Sequence, residues 1–68
     1  MKNLIFCNSN GKDYFIIAGD NKRALLRDMV TKKYVVANGL NWDLMHWNGG
    51  KYFWPEEFEL ASNTFLGK

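Results

Sequence analysis

Arg23-Ala24-Leu25-Leu26-Arg27-Asp28-Met29-Val30-Thr31-Lys32-Lys33-Tyr34-Val35-Val36-Ala37 admits two readings, and the fold depends on which one holds. Ala, Leu, Arg and Met are good helix formers, so a helix over 22–30 competes with a strand. Two features favour the strand. The β-branched pair Val35-Val36 needs a neighbour to pair with, and Asp28-x-x-Thr31 is the chemistry of a four-residue hairpin loop, in which the Asp carboxylate accepts from turn N–H groups. The residue after that Thr tends towards positive φ and is usually glycine. Here it is Lys32, so the turn carries some strain.

Working outward, the same hairpin pattern recurs on the N-terminal side. Leu4–Cys7 and Asp13–Ala18 are β-rich runs separated by Asn8-Ser9-Asn10-Gly11, which predicts strands at about 2–8 and 12–18. On the C-terminal side, Asn38-Gly39 ends the Val-rich run. Trp42–Trp47 then reads as a strand, Asn48-Gly49-Gly50 as a reversal, and Lys51–Trp54 as the returning strand. Pro55 suits the first position of a helix, and Glu56 and Glu57 suit its first turn. Phe58, Ala61 and Phe65 recur on one helical face, and Gly67 provides a stop. So short a helix does not persist alone and must dock on the sheet.

The expected fold is therefore α+β. An antiparallel β-meander of five to six short strands, curled into a half-barrel, spans 1–54, and one C-terminal helix over 55–66 packs on it. Sixty-eight residues make one domain, 1–68, with a thin core. The single cysteine, Cys7, excludes an internal disulfide, and no apolar run is long enough for a membrane span or a signal-peptide core. A cytoplasmic protein is expected.

Catalytic and metal chemistry have little to work with. Cys7 and His46 are the only residues of their types, and nothing local activates the thiol. One His and one Cys do not make a zinc site, and Glu56, Glu57 and Glu59 read as a solvated helix face. Gly49-Gly50-Lys51 is followed by Tyr52, which does not fit a phosphate loop. The chain is expected to be neither an enzyme nor a cofactor or metal binder.

Two binding surfaces are worth weighing. Seven of eleven aromatic residues lie between Asn41 and Phe65, including all three tryptophans. Phe53, Phe58 and Phe65 are expected in the core, and Trp54 is expected to staple onto Phe58. Strand alternation forbids Trp42, Trp47 and Tyr52 from all pointing inward, so these three form a candidate protein interface with Glu56, Glu57 and Glu59 as an acidic rim. The second surface is basic: Lys22, Arg23, Arg27, Lys32 and Lys33, with Tyr34 available for stacking, form an alternative nucleic-acid platform. Lysines that merely guard exposed strands explain the same pattern. A free sheet edge also makes a homodimer an expectation.

Lysine outnumbers arginine seven to two, and there are eight asparagines, a bias that AT-rich codons produce. In length, composition and its ending of hairpin plus short acidic helix, the chain resembles small phage and mobile-element proteins of low-GC bacteria. That resemblance implies a protein that binds and blocks or adapts, such as an inhibitor of a host defence system.

Overall fold

In a computed structural model the chain is described at residues 5–7 as backbone and at 13–44 and 46–67 with side chains. The central hairpin forms as a strand pair. β3 (Arg23–Asp28) and β4 (Tyr34–Asn38) run antiparallel, with Leu25 opposite Val36 and Leu26 opposite Val35. The turn chemistry is the expected one. Asp28 Oδ1 accepts from the Val30 and Thr31 N–H groups at 2.8 and 3.0 Å, and the Lys32 N–H donates to the Asp28 carbonyl at 2.9 Å. Lys32 sits at φ 68°, the left-handed position that glycine usually fills.

β2 (Asp13–Gly19) pairs with the other side of β3, and the register slips between Ile16 and Ala18. That bulge lets Ile17 and Ala18 both pack towards one face. β1 (Ile5–Cys7) adds three residues of backbone outside β2, and the turn expected at 8–11 lies outside the described residues. β5 (Gly49–Phe53) pairs with β4 at the opposite edge. The body of the sheet is four strands, β2 to β5, in an open antiparallel meander. That body falls short of the five to six strands expected, and the sheet does not close.

The overcount comes from the segment at 39–48. The expected hairpin between Trp42–Trp47 and Lys51–Trp54 does not exist. Gly49 and Gly50 lie inside β5, opposite Asn38 and Ala37, with no positive φ. A Cβ on Gly50 would stand 2.9 Å from the Val36 carbonyl oxygen, so glycine serves close strand approach here and not a turn. The reversal is made at Gly39, φ 65°, and by Asn41, whose side chain accepts from the Asp43 and Leu44 N–H groups at 2.9 and 3.0 Å. Among its described residues, a single bridge between Asn41 and His46 is all the strand pairing this segment has.

The helix also starts later than expected. α1 spans Phe58–Leu66, and Pro55 and Glu56 occupy a turn closed by the Glu57 N–H on the Trp54 carbonyl at 2.9 Å. Proline is favoured in such a turn as well as at a helix start, which is why the two readings compete in sequence. Of the three glutamates only Glu59 falls in the first helical turn. Gly67 ends the helix in the left-handed conformation, as expected.

The sheet is apolar on both faces. On one, Leu25, Val36 and Phe53 meet Ala61 and Phe65 of α1. On the other, Tyr14, Ala24, Leu26, Val35 and Ala37 meet Leu40, Trp42 and Trp47 from the folded-back segment. The architecture is thus helix, sheet, loop. Lys32→Gly should stabilise the protein by about 0.5–1 kcal/mol, because it removes left-handed strain from a lysine at a small entropic cost. Thermal unfolding would show this as a rise of several degrees, and an unchanged or lower midpoint would contradict it.

Candidate protein interface

The aromatic residues divide by what covers them. The Trp47 ring meets the Tyr14 ring edge-on, with centroids 5.2 Å apart at 77°. Trp42 donates from Nε1 to the Asp20 carbonyl at 2.9 Å and lies on Gly19, where a Cβ would stand only 2.9 Å from the indole. Both indoles are half-buried lids on the core. Tyr52 is different. It pairs with Val35 and so shares the face the tryptophans cover, but it lies beyond their cover and is 59% exposed.

Trp54 joins it, 57% exposed. Rather than stapling Phe58, it carries the Lys33 ammonium 4.4 Å from its ring centroid. Lys33, Tyr52, Phe53 and Trp54 line a shallow cleft of about 170 Å³. Trp54 was missed as a surface residue, although alternation from the buried Phe53 already places it on the Tyr52 side. Phe58 is a second correction. It is 44% exposed and lies against Tyr34 at 5.2 Å, at the rim of the core.

The acidic residues cluster around the turn that follows. Glu57 Oε1 accepts from the Trp54 N–H at 2.8 Å, which fixes the turn, while Glu56 and Glu59 are exposed. The interface expected from Trp42, Trp47, Tyr52 and the three glutamates is therefore regrouped. The exposed Tyr52 and Trp54 cluster with the half-buried Lys33, with Glu56 and Glu57 next to them in sequence.

The five cations of the basic stretch do not share a face. Arg23 and Arg27 do, as a strand requires, but that face is the one under the helix. Arg23 Nη1 donates to the Phe65 carbonyl at 2.8 Å, and its guanidinium stands 4.6 Å over the Phe65 ring. This cation complements the negative end of α1, which has no basic residue of its own in the last turn. Arg27 lies over Tyr34 at 5.8 Å, Lys32 is at the hairpin tip, and Lys22 is in the β2–β3 turn at the other end. An open groove of about 420 Å³ lies at that end, between the β2–β3 turn and the folded-back segment, walled by Lys22, Leu40, Trp42 and Asp43.

Asp20 holds Arg23 in place. Its carboxylate accepts from the Arg23 guanidinium at 3.0 Å and from the Arg23 and Lys22 N–H groups at 2.9 and 3.2 Å. Desolvation pushes this carboxyl up, but the Lys22 N–H, the Arg23 donors and the Arg23 charge together outweigh it and hold the group below its ordinary value of 3.8. Among the described residues there is no group of three or more His, Cys, Asp and Glu placed to hold a metal ion, and no helix is long and apolar enough to cross a membrane. The Cys7 side chain is outside the described residues. Compared with protein-family models, with curated proteins and with solved structures, the chain matches none.

Two outcomes test this partition. Trp47→Ala should cost about 2–3 kcal/mol in denaturant unfolding, because it uncovers the core, whereas Tyr52→Ser should stay within about 0.5 kcal/mol of the parent. Equal losses would mean that Tyr52 is a core residue. For Asp20 the direction is set by its lowered pKa. A carboxyl whose folded pKa lies below its unfolded value stabilises the fold above that unfolded value, and the contribution is lost as pH falls through the folded pKa. Melting temperature should therefore fall as pH drops from about 5 to below about 3, and Asp20→Asn should flatten part of that fall. An unchanged profile in the variant would remove Asp20 from the acid response.

Proposed function

We propose that this protein is a non-enzymatic protein-binding module whose contact surface is the cluster of Tyr52, Trp54 and Lys33 beside the β5 edge. The observation that carries this reading is the contrast between the tryptophans. Trp42 and Trp47 are committed to the core, while Tyr52 and Trp54 stay more than half exposed side by side at an edge strand. In a domain this small, aromatic surface left out of the core forgoes stabilisation of about 25 cal/mol per Å². Exposed aromatics beside a cation are the side chains that dominate binding at interfaces. The earlier candidates Trp42 and Trp47 belong to the core instead, and Glu56 with Glu57 supply acidic groups next to the surface in sequence.

The resemblance to small phage and mobile-element proteins is consistent with a role as an inhibitor or regulator of a host protein. The nucleic-acid alternative loses ground, because Arg23 is tied to the helix and the remaining cations point in different directions.

The test is capture of partners from a lysate of the organism that encodes the protein, with the parent and a Tyr52→Ser, Trp54→Ser double variant as baits. Selective loss of one or more partners from the folded variant is the expected result. Identical captures would sink this surface as the interface.

A further inference from the structure

The β5 strand is the last in the sheet order and pairs with β4 on one side only. Among the described residues nothing pairs with its other side, and α1 packs against β3, β4 and β5. Four of its five residues are exposed. Alternate N–H and C=O groups of an edge strand point outward and are free to pair with another chain. Gly49 and Gly50 leave two of the five residues of this edge without side chains, and space is open around Gly49.

What occupies this edge can be read from its charge. Full-length antiparallel pairing of β5 with a second copy would set Lys51 directly opposite Lys51, and like charges in opposed positions are destabilising. Shifting by two residues relieves the clash but leaves only three residues paired. Lys51 is thus an obstacle to self-pairing and an attraction for an acidic residue in the same position on another strand. Lys33, over Trp54 at the end of the same edge, adds a second positive charge. The register places Lys51 on the helix face and Gly50 and Tyr52 on the opposite face. A strand laid along β5 would therefore need an acid on one side and apolar residues against Tyr52 on the other.

We infer that the β5 edge binds an extended segment of a partner protein by strand addition, with an acidic residue opposite Lys51 and an apolar residue packed on Tyr52. This deepens the protein-binding reading and rests on it. It replaces the homodimer expected from the sequence with a partner of opposite charge.

The experiment uses the full chain and two synthetic peptides of alternating threonine and valine, one with a central glutamate on the threonine side and the other with lysine there. Amide NMR spectra and hydrogen exchange are recorded with about 1 mM peptide. The glutamate peptide should slow exchange of outward β5 amides and shift Tyr52, with about fivefold preference over the lysine peptide, and Lys51→Glu should reverse the preference. If neither peptide protects any β5 amide, strand addition is wrong. Shifts of Tyr52 and Trp54 without β5 protection also reject it, yet leave the protein-binding surface standing, which only the bait comparison can remove. Protection that depends on protein concentration without peptide would assign the edge to a second copy and overturn the inference.

Discussion

β3 and β4 are apolar on both faces, and the rest of the structure answers to that constraint. A half-buried antiparallel strand normally alternates apolar and polar residues. Ala24, Leu25 and Leu26, and then Val35, Val36 and Ala37, leave no side free for water. A single sheet then needs two covers. The helix supplies one with Ala61 and Phe65, and the segment at 39–48 supplies the other with Leu40, Trp42 and Trp47. Among the described residues there is no second sheet or helix, so the largest side chains, two indoles on a loop, do the work of a layer.

Asp20 connects the two covers. Its carboxylate aligns Arg23, which holds the last turn of α1 through the Phe65 carbonyl, and its own carbonyl receives the Trp42 indole N–H. Surface ion pairs add little by themselves. This one matters through geometry, because it orients a guanidinium that closes a helix end and stacks on the ring beneath it. The basic residues of the sequence are accordingly structural at Arg23 and peripheral elsewhere.

What remains outside the two covers is the β5 edge with Tyr52 and Trp54. Sheets usually blunt such an edge with lysine, proline or a bulge. Here Lys51 and Pro55 are present, but so are two glycines and two exposed aromatics. That mixture deters self-association while leaving a place for a strand of complementary charge. The proposed binding module would need such a surface, one that recognises a partner without polymerising its own chain.

The sequence by itself carried the local chemistry. Asp28 and Thr31 specify the central turn, Gly67 specifies the helix stop, and the α+β class follows from strand-like runs ahead of one helical face. These are interactions between residues a few positions apart, so composition and spacing reveal them. Tertiary structure decided which strand completes the β4 edge. Asn48-Gly49-Gly50 has the propensity of a turn, but the unpaired edge of β4 and the tight approach to Val36 draw it into a strand. With that strand in place, Trp42 and Trp47 are freed to fold over the core, and Trp54 is carried out to meet Lys33. Pairing partners and covered faces are set by contacts between distant parts of the chain, and no window of sequence contains both sides of them.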